Sequence, residues 1–426
     1  FAGALLAGFK TRWAVIGSWL MAVSLQNRVP PILNGGDDLC RMLLFWGMFL
    51  PLGSVWSVDS RRRRRLADSM GAGTENSAAS ISEKVLSLAT AAVMIQMALM
   101  YLCSAIFKSN ADWFHGEVIA KTLAHDFYAK PMAGLILKSG FLLKLMTWGI
   151  FAFEWLAPLL LFLPRQTVRV RVLIVAALAL MHLGIEICLH VGMFSYVALT
   201  GLIVFLPSEF WNRWRRFRFP MPASLPGSGI RPANVPAGNG TVARKLAGIC
   251  CALALIQVLI VNIGGLVARP GNATGLAAWN FANLGLGLGQ KWNMFEETPS
   301  KDGWYLARAT LYNKSEIDLL RDGDPIDWTK PAHAAGIYRN HRWRKLFREM
   351  AYDDSLGYQV FRVPVARHLV REWNESRRGE SSRQIVQFEF VYSMEHDSMS
   401  PDNKLVQVAV HRRLFRLDPA LITPAP

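Results

Sequence analysis

The apolar residues of this chain fall in blocks separated by polar segments, and these blocks constrain the fold more than any other feature. A helix that crosses a bilayer needs about 20 apolar residues. Hydrophobic residues make up 52% of the chain and charged residues only 18%, against about 25% in soluble domains. We expect the apolar run 1–9 to be part of a helix from a longer chain. The pattern predicts a polytopic membrane protein with spans at 13–25, 39–58, 82–107, 140–163, 172–190, 193–207 and 244–265.

Basic residues cluster in the short segments between these blocks. If each block crosses the membrane once, all the clusters lie on one side, and the positive-inside rule makes that side the cytoplasm. The loops 26–38 and 108–139 then lie outside, together with everything after residue 265. The net charge of +16 thus follows from membrane topology, and we expect no nucleic-acid partner. The clusters are Lys10 with Arg12, the run 61–65, Arg165 with Arg169 and Arg171, and Arg213 with Arg215, Arg216 and Arg218.

The composition divides the chain into four predicted parts. Residues 1–207 form a transmembrane helical domain, 208–243 a cytoplasmic linker rich in Pro and Gly, and 244–265 the last membrane helix. Residues 266–426 are polar and mixed, so we expect a small extracytoplasmic α+β domain. The predicted fold class is therefore mainly α, a transmembrane bundle followed by this domain. Strands are predicted at 304–312, 385–392 and 405–415, and helices at 339–350 and 358–373, the second interrupted at Pro364.

Ionisable residues inside apolar blocks need an explanation because a charge in a bilayer is costly. Arg41 and Lys144 lie near the ends of their blocks, where a long side chain can reach the membrane surface. Glu154 lies in the middle of its block, and His182 and Glu186 share another. Together with His190, the last two are spaced i, i+4 and i+8, so they share one helix face. That spacing is compatible with metal ligands or a proton relay, but it favours hydrogen bonds between helices. We predict no metal site.

Lys108 stands where a predicted membrane helix ends. Its position fits an anchor at the membrane surface, with Trp113 in the aromatic belt. The other interpretation is chemical, because a lysine partly buried in an apolar wall loses its proton more readily and then serves as a general base. Position alone favours the anchor.

Four stretches of the sequence carry a shared set of motifs. They are NGGDDLCRMLLFWGMFLPLGSVWSVD at 34–59, KSNADWFHGE at 108–117, MHLGIEICLHVGMFSYVAL at 181–199, and QKWNMF at 290–295 with the RDGDPIDW and RNHRWRKL that follow. The pairing of K-x-x-A-D-W with G-M-F-S-Y at this separation is specific. Over about residues 5 to 350 the chain resembles the vitamin K-dependent gamma-carboxylase family and the wider bacterial group of HTTM (horizontally transferred transmembrane) domain proteins.

The resemblance implies an integral protein of the cell membrane, a bacterial inner membrane here, with an outward-facing C-terminal domain. Family enzymes use vitamin K hydroquinone with oxygen and carbon dioxide, and menaquinol is the expected bacterial counterpart. A lysine deprotonates the hydroquinone, the oxygenated product removes a γ-proton from a glutamate of a secreted protein, and the carbanion attacks carbon dioxide. The catalytic lysine of the family falls on Lys108, with His182 and Glu154 as supporting polar groups. The residues expected to bind the quinone are Trp113, Asp112 and Glu186.

The sequence departs from the family at one position. Counting back from W-S-V-D, a histidine implicated in the chemistry of the animal enzymes falls on Gly36, next to Asp37 and Asp38. The resemblance therefore implies oxidation of a reduced quinone with or without carboxylation of protein glutamate. The alternative is a non-enzymatic membrane protein whose outer domain binds a partner or assists secretion. A transporter with a proton relay is a third hypothesis, which no inverted repeat supports.

Overall fold

The chain forms two compact units, each made of separate stretches of sequence. The first contains Phe1–Gly116, Leu145–Glu186 and Gly192–Glu296, and the second contains Glu117–Lys144, Ile187–Val191 and Glu297–Pro426. The domain limits at residues 207, 243 and 265 stay predictions, and most of the linker 208–243 lies outside the described residues. The computed structural model describes residues 1–69, 87–163, 167–211, 213, 240–267, 283, 285–296, 303–352, 357–399 and 405–422.

The described residues up to Val267 are mainly helical. Tryptophan and methionine side chains such as Trp46 and Met42 fill a core between the helices of the first unit. In chain order the helices are α1 (Ala2–Ala7), α2 (Thr11–Arg28), α3 (Gly35–Gly47), α4 (Val58–Ser69), α5 (Leu88–Phe107), α6 (Ala111–His115), α7 (Val118–Ala124), α8 (Ala133–Ile136), α9 (Gly140–Leu161), α10 (Val168–Cys188), α11 (Phe194–Leu202) and α12 (Gly240–Val267).

Among the described residues, four helices are long and apolar enough to cross a membrane. They are α5, α9, α10 and the part Lys245–Val267 of α12. Each agrees with a predicted apolar block, as expected for an integral membrane protein. Leu173, Leu180 and Leu253 on these helices are 67%, 68% and 62% exposed, which is where side chains that face lipid are expected.

Two predicted spans do not form helices long enough to cross a membrane, and the first, 193–207, contains only the short apolar helix Phe194–Phe205. The block 39–58 does not form a single helix, because α3 ends at Gly47 and an irregular stretch around Pro51 follows. Asn34 caps the start of α3, since its side chain accepts a hydrogen bond from the Gly36 N–H at 2.9 Å. The helix has 13 residues and is therefore about 20 Å long, too short to cross a bilayer alone. Apolar composition does not show where a helix ends.

The C-terminal part of the chain forms a five-stranded antiparallel sheet with the order β3-β2-β1-β4-β5. The central pair, β1 and β4, runs from Gly303 opposite Met394 to Leu311 opposite Ile385. The three predicted strands are confirmed as β1, β4 and β5, whereas β2 and β3 are too short to leave a periodic pattern. The strands are β1 (Gly303–Leu311), β2 (Glu316–Asp318), β3 (Asp324–Pro325), β4 (Ile385–Met399) and β5 (Leu405–Arg416).

Two helices, α13 (His341–Tyr352) and α14 (Arg362–Ser376), lie between the strands in sequence and confirm the two predicted helices. Phe347 of α13 packs on the sheet, with ring centroids 4.8 Å from Tyr305 and 5.5 Å from Phe390. Pro364 does not interrupt α14. It lies in the first turn, where a missing N–H removes no intrahelical hydrogen bond.

Candidate active site in the helical bundle

Lys108 and Glu154 form a buried ion pair in the first unit. The Lys108 ammonium donates hydrogen bonds to both carboxylate oxygens of Glu154, each at 2.6 Å. The two side chains are only 4% and 7% exposed. Lys108 directly follows α5, and Glu154 lies in the interior of α9. The structure therefore brings together two of the residues predicted for the site and makes Lys108 far more buried than an interfacial anchor.

Trp113 forms one wall beside this pair. Its ring centroid lies 5.0 Å from the Lys108 ammonium, a cation–π distance, and its side chain is buried. The short helix α6 holds the ring because Asn110 caps its N-terminus. The indole N–H donates to the Phe295 carbonyl at 2.9 Å. The K-x-x-A-D-W motif thus places the Lys108 ammonium and an aromatic face side by side.

His182 is held by Tyr101 of α5, a residue that the sequence analysis did not identify. The Tyr101 hydroxyl and His182 Nε2 lie 2.8 Å apart, and both side chains are almost fully buried. The His182 ring also contacts Phe194, with centroids 5.4 Å apart. Tyr101 lies on α5, which Lys108 directly follows, so this pair and the Lys108–Glu154 pair are both positioned by that helix.

One face of α5 collects the polar groups of the site. Tyr101, Ser104 and Lys108 are spaced i, i+3 and i+7, which places them on one side of the helix. This spacing is the signal in YLCSAIFK that could have identified Tyr101. Within the described part of the chain, Ser104 Oγ, Ser195 Oγ and His182 Nδ1 are buried without a hydrogen-bond partner. Buried polar atoms of this kind usually have a partner, so the site has capacity for a polar ligand or water.

The remaining predicted site residues lie at its margin. Asp112 is half-buried in the first turn of α6, and Glu186 is half-buried one helical turn after His182. His190 does not share their helix face, because α10 ends at Cys188, and the His190 N–H donates to the Tyr128 carbonyl at 2.7 Å in the second unit. The i, i+4, i+8 alignment is therefore wrong for its third member. No group of three or more His, Cys, Asp or Glu residues converges as metal ligands in the described ranges.

Gly36 has a packing reason to be glycine. A Cβ atom at this position would lie 2.7 Å from both the backbone nitrogen and the Cα of Phe194. The start of α3 thus meets the G-M-F-S-Y turn with backbone against backbone. A histidine does not fit at residue 36 unless the main chain moves.

Asp59 of the W-S-V-D motif has a structural role. Its carboxylate accepts hydrogen bonds from the backbone N–H groups of Lys10 and Thr11, at 2.9 and 2.8 Å, and from the Thr11 hydroxyl at 2.8 Å. These bonds, the Thr11 backbone bond first, hold the pKa of Asp59 below its usual range. The motif therefore fixes the start of α2 and contributes no group to the candidate site.

Arg41 is also structural, although the sequence placed it inside an apolar block. It is buried, donates through Nε to the Gly287 carbonyl at 2.5 Å, and pairs with Asp38 at 3.0 Å. Further bonds reach Gln26 and the Gly289 carbonyl. The glycine-rich stretch 285–290 thus wraps a buried arginine.

Comparisons with known proteins give one match. Residues 39–211 match the family model of the HTTM domain, and this range includes Lys108, Glu154 and His182. No curated protein and no solved structure matches the chain. The chain therefore contains an HTTM domain, as the resemblance of its motifs predicted.

Proposed function

We propose that this protein is an integral membrane enzyme that deprotonates and oxidises a reduced quinone, with the Lys108–Glu154 pair as proton acceptor. The observation that carries the proposal is the burial of this pair against the face of Trp113. An ion pair that serves only stability gains little from such burial, because desolvation offsets most of the attraction. In a proton-transfer site, by contrast, the same burial is useful because it couples the acid and the base strongly.

The proton balance of the pair suits this chemistry. As ammonium and carboxylate, or as amine and carboxylic acid, the pair holds the same number of protons and can accept one more. A proton taken from a quinol hydroxyl leaves an ammonium beside a carboxylic acid and a quinolate anion. The quinolate then replaces the Glu154 carboxylate as counter-charge of Lys108, so the net charge in the apolar surroundings does not change.

The surroundings also fit a flat aromatic substrate. Phe151 lies 6.2 Å from Trp113 and 5.7 Å from Phe114, centroid to centroid, and such rings pack well against another ring. Two further groups of the site, His182 Nδ1 and Ser104 Oγ, are buried without partners among the described residues and would bind quinol oxygens. Molecular oxygen is the proposed oxidant. With the proton returned from the Lys108–Glu154 pair, it converts the quinolate to an epoxide and water or to a quinone and hydrogen peroxide.

The proposal extends to the location of the protein. We place it in a bacterial cell membrane with the region after residue 265 outside the cytoplasm, where a secreted protein substrate would be met. Support comes from the basic clusters of the sequence, among them the arginine run of α4, which the positive-inside rule assigns to the cytoplasm. Carboxylation of protein glutamate is a separate step that needs carbon dioxide. The packing around Gly36 leaves no room for the histidine that the family resemblance expects there.

The test uses membranes that contain the protein, supplied with reduced vitamin K or menaquinol under air. Quinone and epoxide are measured for the wild type and for Lys108→Met. We expect product formation to fall at least about 100-fold, as when a general base is removed. Lys121→Met is the matched control, because Lys121 also pairs with a glutamate, Glu117 at 2.8 Å, but is 45% exposed. Product formation that is independent of Lys108 contradicts the proposal.

A second variant separates chemistry from folding. Lys108→Met combined with Glu154→Leu replaces the pair by apolar groups, a change that buried ion pairs often tolerate. The double variant should fold and remain inactive. If it folds and keeps its activity, the pair only joins helices, and another group accepts the proton.

A further inference from the structure

Two arginines of α13 share one aromatic ring in the second unit. Arg344 and Arg348 are spaced i, i+4, so they lie on the same helix face. Their guanidinium carbons lie 4.7 and 5.4 Å from the Phe127 ring centroid, and Arg348 is also 5.7 Å from the Tyr128 ring. Arg348 donates hydrogen bonds to the Tyr128 hydroxyl and, at 2.9 Å, to the Glu349 carboxylate. Two guanidinium groups are thus held side by side over an aromatic platform, and Glu349 compensates the charge of Arg348.

Arg344 has no acidic partner in the described part of the chain. Its side chain is buried, with the residue 5% exposed, and its Nη2 donates to the His190 carbonyl at 2.6 Å. Its Nε is buried without a hydrogen-bond partner. Burial lowers the pKa of Arg344 to about 10. The guanidinium therefore keeps unused donors and an uncompensated charge.

Other arginines of this unit show the usual solution. Arg308 pairs with Glu316 at 2.6 Å and with Glu389 at 2.7 Å, and Arg339 pairs with Glu372 at 2.7 Å. A buried charge is normally paired, because an isolated ion in apolar surroundings is costly. A carbonyl and a ring face offset only part of that cost for Arg344. An anion bound from outside the chain would provide the missing counter-charge.

The chain reaches this arginine pair directly from the end of a membrane helix. His190 follows the last residue of α10 by two positions, and the ends of membrane helices lie at the depth of the lipid headgroups. Guanidinium groups match the oxygen geometry of phosphate. We propose that Arg344 and Arg348, with Phe127 and Tyr128, bind a phosphate group, carried by an anionic phospholipid or free in solution.

Two arms of one experiment distinguish these sources. The purified full chain is placed in vesicles of phosphatidylglycerol or of phosphatidylcholine, and lipid retained after extraction is counted by native mass spectrometry. In detergent, the shift in Tm on adding inorganic phosphate is compared with acetate at equal ionic strength. We expect Arg344→Met to lose about tenfold in anion affinity, the effect of one charge-assisted hydrogen bond.

Arg339→Met is the matched control, because Arg339 also lies over a tryptophan, Trp343 at 5.4 Å, but has its own carboxylate and is 49% exposed. It should bind like the wild type. If Arg344→Met does not fold, Arg348→Met tests the same site, since its side chain is 27% exposed. A phosphate shift without phosphatidylglycerol retention assigns the site to free phosphate. No response to either ligand, or an equal shift with acetate, overturns the proposal.

Discussion

Two buried cations, Lys108 in the helical bundle and Arg344 in the second unit, illustrate opposite ways of holding a charge. Lys108 has its counter-charge inside the chain, in Glu154 at 2.6 Å. Arg344 has a carbonyl and an aromatic face but no carboxylate among the described residues. A cation with a built-in acid can exchange protons without a change in net charge. A cation without one needs a ligand to complete it.

The largest effect should come from making Lys108 resemble Arg344. Glu154→Gln removes the acid and leaves the ammonium buried alone, which should lower the free energy of unfolding by about 3–5 kcal/mol. Thermal unfolding of the detergent-solubilised protein measures the loss. If Glu154→Gln is as stable as the wild type, Lys108 is already uncharged in the wild type, and the contrast between Lys108 and Arg344 does not hold.

A medium effect is expected from a neutral buried group of the same site. Tyr101→Phe removes the 2.8 Å hydrogen bond to His182 and leaves a buried imidazole nitrogen unsatisfied, at a cost of about 1–3 kcal/mol. If Tyr101 orients His182 toward the quinol, the turnover measured above should also fall. His182→Phe in the Tyr101→Phe background should then add little further loss. Full additivity of the two changes in turnover would show that the two residues act separately.

The smallest effect should come from a half-buried charge, Asp59, which gives a reference value for the fully buried ones. Asp59→Ala removes the cap of α2 and should cost about 1 kcal/mol. The pKa of Asp59 is lower in the folded protein than in the unfolded chain. Its contribution is therefore complete above the ordinary carboxyl range and disappears as the pH falls through the lowered pKa. Unfolding curves of the wild type and of Asp59→Ala should converge in acid, and a constant difference would exclude the cap.

The sequence predicted the members of the site better than their arrangement. Lys108, Glu154 and His182 stand out because charges are rare inside apolar blocks. Their partners depend on how each helix is rotated about its axis, which composition does not specify. Tyr101 was not predicted as a site residue because a tyrosine in an apolar block resembles a core residue.

The same reasoning explains the errors outside the site. The block 39–58 is apolar along most of its length. Its helix, α3, nevertheless begins before the block, after the cap residue Asn34, and ends inside it at Gly47. Arg344 lies in a helix that was predicted, but a basic, amphipathic segment does not indicate which of its arginines becomes buried. The strands β1, β4 and β5 were identified because apolar and polar residues alternate along their sequences.

The contact between Gly36 and Phe194 has a consequence for how this protein can change. A histidine at residue 36, where the resemblance to the animal enzymes expects one, is not obtained by a single substitution, because its Cβ would meet main-chain atoms 2.7 Å away. The backbone at the G-M-F-S-Y turn would have to shift first, and that turn packs Phe194 against the His182 ring. Residue 36 and the His182 ring are therefore mechanically coupled, so that a change at one has to be accommodated at the other.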